Sequence, residues 1–162
     1  MQTCTDGSAV MKDLPSRLRS LLRRQTTLVL SSVDEGGTPH STPLFFIADE
    51  DMRLYWFSSR TSRHSRNCAR SPRASVAVFR PTRRWKQIEG LQMEGMVSAV
   101  AGRAKRRAIT RDYCARFVLD ESFAGVIQRS TLYCFTPELM RYLNNQQKLG
   151  DRFELRLTTG QS

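Results

Sequence analysis

At 162 residues, 40% of them hydrophobic and 25% charged, the chain is long enough for one domain with a real core. No apolar run approaches the ~20 residues that cross a bilayer, which excludes a membrane-spanning helix and leaves no membrane partner to expect. Basic residues outnumber acidic ones by 26 to 15, and the resulting net charge of +11 attracts phosphates, nucleic acid or acidic surfaces.

Only Lys12, Lys86, Lys105 and Lys148 are lysines; the other 22 basic residues are arginines, spread along the chain rather than massed in one tail. That composition fits an anionic partner and equally a bias in codon usage. Residues 1–11 are small and polar and lack the apolar centre of a secretory signal, so the expectation is a loose tail on a cytoplasmic protein. Cys4, Cys68, Cys114 and Cys134 lie far apart, and only His40 and His64 could join them in a metal site. No zinc ligand set is expected, and the thiols are expected to be reduced.

Leu14, Leu18, Leu21 and Leu22 recur at helical spacing, and Asp13 and Pro15 suit a helix start. Residues 27–33 read as an apolar strand, and Asp34-Glu35-Gly36-Gly37 as a hairpin turn into a second strand over 38–47. Pro39 and Pro43 cannot donate to a ladder, so this second strand belongs at an edge or carries a bulge. A further turn at 48–51 leads into the strand that starts at Leu54.

The stretch 54–79 carries most of the chemistry. The aromatic run Leu54-Tyr55-Trp56-Phe57 ends in Ser58-Ser59-Arg60-Thr61-Ser62-Arg63-His64, a short helix follows, and a second apolar strand closes at Phe79. Hydroxyls and cations at a helix start suit a phosphate monoester, because free backbone N–H groups and the helix dipole favour an anion there. Arg63 can add a two-pronged contact. By composition alone the same turn reads as a solvated Ser/Arg segment; the flanking strands, which fix it at a sheet rim, favour the site.

The basic loop 80–86 contains Trp85, expected to cover the barrel end rather than to stack on a ligand. Residues 91–100 alternate as a long strand, and Gly95 inside it calls for a bulge or a close backbone approach. Ile109, Tyr113 and Phe117 form the stripe of a helix over 103–119. Strands follow over 132–135, 139–143 and 153–157, with a break expected at Thr136-Pro137. The fold class read from these elements is mainly β (α+β): an antiparallel barrel of about six strands with an N-terminal helix, a short crossover helix and one later helix.

The 54–79 segment resembles the phosphate-binding stretch of the flavin-binding split barrels related to pyridoxamine 5'-phosphate oxidase. That family places an aromatic-hydroxyl pair at a strand end, here Phe57-Ser58, a Ser-Arg-Lys triplet, here Ser62-Arg63-His64, and an Asn-Pro, here Ser71-Pro72. The similarity runs from about Thr26 to about Arg156. The resemblance turns the barrel into a split barrel, with a loose tail over 1–11, a single FMN-binding domain over 12–158 and a short tail over 159–162. It implies a homodimer with FMN at the subunit interface. The flavin phosphate would sit on Ser58, Arg63 and His64, with Phe57 and Ser59 also in the cofactor site, and the ring against Thr42, Pro43, Leu44 and Phe45. Flavin would do the redox chemistry of an oxidoreductase whose small-molecule substrate is unknown.

Thr42 stands where the family oxidase has an arginine, Gly90 where it has a glutamine, and its C-terminal tryptophan and ligand-holding arginines have no clear match in 141–162. Vitamin B6 oxidation is therefore not expected. A small bacterial branch with a Gly-hydrophobe-Gln-hydrophobe-x-Gly strand, here Gly90-Leu91-Gln92-Met93-Glu94-Gly95, fits better. The alternatives are the same fold holding the deazaflavin F420 or haem, and a basic nucleic-acid-binding module supported by the net charge with Arg83, Arg84 and Trp85. No nucleic-acid motif supports the last, so a nucleic-acid partner is not the main expectation.

Overall fold

A computed structural model describes residues 7–117, 119, 121–146 and 152–157. The N-terminal helix α1 (Gly7–Arg24) precedes β1 (Thr27–Val33), β2 (Pro39–Phe45), β3 (Ile47–Ala48) and β4 (Leu54–Ser58). Next come α2 (Arg63–Arg70), β5 (Arg73–Phe79), a 3-10 turn at Trp85–Gln87 and β6 (Glu89–Ala99). The chain continues with α3 (Arg103–Arg116), α4 (Glu121–Arg129), β7 (Thr131–Asn144) and β8 (Arg152–Arg156). All strands pair antiparallel in one sheet of order β2-β1-β5-β6-β7-β4-β3, with β8 also on β7. β7 explains the split: its first half pairs with β4 and its second half with β8, both on the side away from β6.

Among the described residues eight strands form where about six were expected, and a fourth helix, α4, follows α3. The sequence reading ends its late helix at 119 and assigns no element to 121–129, although Asp120-Glu121 is an acidic start signal. The N-terminal helix begins at Gly7, within the tail expected over 1–11, and Pro15 lies inside it rather than at its start. Packing outweighs propensity here. An interior proline costs about 3 kcal/mol, whereas burying Leu14, Leu18, Leu21 and Leu22 almost completely contributes about 6–12 kcal/mol.

β7 runs unbroken through Thr136-Pro137, where a break was expected. The register with β6 shifts instead, Glu94 facing Leu139 and Gly95 facing Pro137, so Glu138 is the extra residue of a bulge. Gly95 meets both expectations for it: a Cβ there would lie 2.2 Å from the Thr136 carbonyl oxygen and 2.9 Å from the Pro137 Cα. β2 lies at the sheet edge as its prolines require. Trp85 is 56% exposed and does not pack into the barrel end.

The main core, with Leu28, Leu30, Trp56, Val76, Val78, Leu91 and Phe135, fills the barrel beneath α1. Successive strand residues face opposite ways, so Tyr55 of β4 and Cys134 of β7 join a second core beneath α3 and α4, with Ile47, Tyr113, Ile127 and Leu132. Among the described residues no helix is long and apolar enough to cross a membrane.

Candidate functional site

Ser62 caps α2: its extended backbone stops the incoming turn, and its Oγ accepts from the Ser65 N–H at 3.3 Å. The same hydroxyl donates to the Ser59 carbonyl at 2.9 Å and stands 3.2 Å from Ser58 Oγ and 3.1 Å from His64 Nε2. Ser58 Oγ lies 2.7 Å from that imidazole nitrogen. Ser58, Ser62 and His64 therefore converge at the junction of β4 and α2, as the sequence suggests. Ser59 and Thr61 are exposed beside them, with their hydroxyls 2.8 Å apart.

The two positively chargeable groups do not converge. His64 is buried, and burial first, then the like charge of His40, holds its pKa below the usual imidazole value. It is therefore neutral near pH 7 and serves as a hydrogen-bonding group among hydroxyls. Arg63 turns the other way and donates to Asp34 Oδ2 at 2.8 Å. That hydrogen bond is the leading cause of the lowered Asp34 pKa.

Arg63 belongs to a second pattern that sequence reading missed. Asn67 Nδ2 donates to Ser32 Oγ at 3.1 Å, and Arg70 donates to the Val33 carbonyl at 2.8 Å. Residues 63, 67 and 70 lie on one helix face and meet three consecutive residues, Ser32, Val33 and Asp34, at the end of β1. This face docks α2 on the sheet. The helical spacing of polar residues with one buried amide was the available signal.

β2 packs against both α2 and β4, which brings the other expected stretch, Thr42 to Phe45, to the same region. Thr42 Oγ1 is 3.0 Å from His40 Nε2. His40 thus contacts Thr42 and is near enough to His64 to depress its pKa, and sequence reading did not assign it a place in the site. It shares a strand face with Thr42, two residues on. Pro43 and Phe45 are exposed, and Leu44 is half-buried. As an edge strand, β2 leaves a row of backbone groups outside the sheet ladder on its outer side, less the N–H groups that Pro39 and Pro43 lack.

Phe45 and Phe57 both touch the α3 region, although Phe45 stays half exposed. Phe45 lies 5.0 Å from Phe117, Phe57 lies 5.1 Å edge-on from Tyr113, and the Arg106 guanidinium sits 5.3 Å from the Phe57 ring centre. Tyr113 Oη donates to the Phe45 carbonyl at 3.3 Å, and burial pushes its pKa up to about 12.

The family model for pyridoxamine 5'-phosphate oxidase matches residues 14–144, most of the chain. The chain belongs to the pyridoxamine 5'-phosphate oxidase family. None of the curated proteins matches it. Among solved structures, General Stress Protein 26 from Bacillus anthracis superposes with a TM-score of 0.66 at 21% identity, covering 90% of this chain and 99% of that one. A conserved hypothetical protein from Mycobacterium tuberculosis gives 0.72 at 15% identity, covering 89% and 92%. The haem storage protein of Vibrio cholerae gives 0.64 at 20% identity, covering 76% and 89%. These likenesses establish the family's split-barrel fold.

The donor set at the β4–α2 junction fits a phosphate monoester: hydroxyls of Ser58, Ser59, Thr61 and Ser62, first-turn N–H groups of α2 and a neutral imidazole. The cation of the set, Arg63, is occupied by Asp34 in this state.

Proposed function

We propose that the chain binds FMN and is an oxidoreductase acting on a substrate other than the vitamin B6 phosphates. One observation supports this most: the hydroxyl cluster at the α2 N-terminus and the outer edge of β2 lie side by side on a family fold. Ser58, Ser59 and the first turn of α2 would hold the phosphate, with Arg63 as the permanent charge once it leaves Asp34. His64 would position the hydroxyls of Ser58 and Ser62. The backbone of 42–45 would line the isoalloxazine ring, and Phe57, beneath Tyr113 and Arg106, would support the wall rather than stack on the ring. Bound flavin supplies hydride or electron transfer; the protein supplies position, electrostatics and exclusion of water.

A homodimer with this site at the subunit interface completes the reading, since β2 and Phe45 are open on one side in the single chain. The absence of a clear match in 141–162 to the family oxidase's C-terminal tryptophan and substrate-holding arginines supports a substrate other than pyridoxamine phosphate.

The absorbance spectrum of the purified protein and the mass of the ligand released on denaturation test the cofactor. A haem or deazaflavin spectrum would overturn FMN. Haem has less support from the residues: the Nε2 atoms of both histidines are already hydrogen-bonded. Arg63→Ala should weaken FMN binding by about ten- to a hundredfold and riboflavin binding far less, with Arg66→Ala as control. Equal FMN affinities for the two variants would place the phosphate elsewhere. Light scattering tests the dimer, and turnover of pyridoxamine phosphate at an enzymatic rate would refute the substrate reading.

A further inference from the structure

We infer that the outer face of α3 is a docking stripe for the phosphodiester backbone of duplex nucleic acid, separate from the cofactor site. The helix holds Arg103, Lys105, Arg106, Arg107, Arg111 and Arg116 against a single acid, Asp112. Three of these cations have structural work. Lys105 lies 5.5 Å from the Tyr55 ring centre. Arg106 donates to the carbonyls of Ile127 and Ser130 at the end of α4. Arg116 donates to the Gln25 carbonyl at 2.7 Å and also to that of Arg23, capping α1.

Arg103, Arg107 and Arg111 remain, at i, i+4 and i+8, all exposed. Arg103 and Arg107 have no hydrogen-bond or ion-pair partner among the described residues. Arg111 touches only the exposed Asp112, at 3.1 Å. Like charges at i, i+4 oppose each other and weaken a helix, so the stripe runs against local stability. A local conflict of this kind points to a role outside the fold. A shallow groove of about 510 Å³ follows the stripe, lined by Arg103, Arg106, Arg107, Thr110 and Arg111.

The three guanidinium groups span about 12 Å of helix axis. A duplex presents about seven phosphate charges over that length, and each guanidinium can take a phosphate with two parallel hydrogen bonds. Ala104, Ala108 and Ala115 are exposed on the same helix and allow close approach. The aromatic side chains of the helix and its end, Tyr113 and Phe117, face inward against Phe45 and Phe57. The stripe thus offers no platform for unpaired bases, which favours a duplex over a single strand. It also offers no aromatic or aliphatic anchor of the kind that dominates protein interfaces, which favours a phosphate backbone over an acidic protein.

The test is fluorescence anisotropy with a labelled random-sequence duplex DNA, titrated at several salt concentrations. The full chain is compared with the triple variant Arg103→Gln, Arg107→Gln, Arg111→Gln. The control triple Arg66→Gln, Arg83→Gln, Arg84→Gln removes the same charge from other exposed arginines. The α3 triple should flatten the slope of log K against log salt by about 2.7, and the control triple by much less. Thermal melts followed by circular dichroism should show both triples folded, since removing the α3 repulsion does not weaken the helix. Equal losses in the two triples would overturn the inference, because net charge alone would then explain binding. No binding by the full chain would also overturn it. Tighter binding of a single strand than of the duplex, or of polyglutamate lost selectively in the α3 triple, would reassign the stripe to that partner.

Discussion

Helices α2 and α3 are both rich in arginine and lie on the same barrel, yet their cations live differently. On α2, Arg63, Asn67 and Arg70 each find a partner in the three residues 32–34 at the end of β1. On α3, Arg103 and Arg107 find none among the described residues. The difference teaches that a count of cations does not separate a helix docked by its arginines from one that aligns them toward solvent; their partners and their spacing do. The sequence motif directs attention to Arg63, which has a partner; α2 keeps one exposed arginine without a side-chain partner among the described residues, Arg66, whereas α3 sets Arg103 and Arg107 in line, one turn apart.

The comparison presumes that both helices rest on one fixed platform, and the largest expected effect comes from breaking it. Gly95→Ala drives a Cβ into the Thr136 carbonyl and the Pro137 backbone, which cannot swing aside as a flexible side chain would. We expect a loss of about 3 kcal/mol and a fall in melting temperature of about 6–12 °C. A melting temperature equal to that of the parent would mean that the β6–β7 bulge relaxes freely.

Next in size is the docking of α2. Asn67→Ala leaves the buried Ser32 hydroxyl without its partner, at a cost of about 1–3 kcal/mol. Arg107→Gln on α3 should stay within about 0.5 kcal/mol of the parent. Parallel denaturant titrations sharpen the contrast: similar losses in the two variants would show that α3 is held by its arginines after all.

The fold was largely legible in the sequence because its signals are steric. Pro39 and Pro43 forbid a central strand, Gly95 demands a close approach, and four leucines at helical spacing demand a core. The misreadings share a cause in tertiary override. Buried leucines carried α1 through Pro15, and the bulge at Glu138 let β7 pass Pro137 without breaking. The site was legible in part. Ser58, Ser62 and His64 converge because a strand end and a helix cap fix them locally. The orientation of Arg63 was not legible, since it depends on Asp34, 29 residues away in a different hairpin. Nor was the cover over Phe45 and Phe57, which comes from α3 far along the chain.

A smaller effect separates the inner side of the α2 turn from its outer side. His64 is protonated less readily in the folded chain than in the unfolded one, first because it is buried and then because His40 is near. Its contribution to stability is complete above about pH 6.5 and is lost as the pH falls through that value toward the folded pKa, because the unfolded chain takes up the proton first. Melting temperatures of the parent and of His64→Gln between pH 7.5 and 5.5 check this: the gap between them should narrow or invert as the pH falls. A constant gap would show that His64 titrates alike in both states.

The smallest expected effect bears on the outer side, where Arg63 and Asp34 face each other. In the α2–α3 contrast, Arg63 counts as occupied, yet half of its side chain remains exposed and the pair sits at the surface. Such pairs are weak and screened by salt, so a dianionic phosphate can compete for the guanidinium. The Asp34 carboxylate then opposes the ligand twice, by holding Arg63 and by repelling the phosphate. Asp34→Asn removes both effects while keeping an amide oxygen for the Gly36 and Thr38 N–H groups that Oδ1 now accepts. The hairpin should therefore persist and the melting temperature change little. FMN should bind roughly two- to fivefold tighter, and riboflavin should bind as before. In the background of Arg63→Ala the same substitution should have a smaller effect on FMN, because only the direct repulsion remains to be relieved. Fluorescence titration of the two single variants and the double variant measures that coupling. If Asp34→Asn leaves FMN affinity unchanged in the presence of Arg63, the arginine serves only to dock α2, and its likeness to the family's phosphate-binding arginine ends at the sequence.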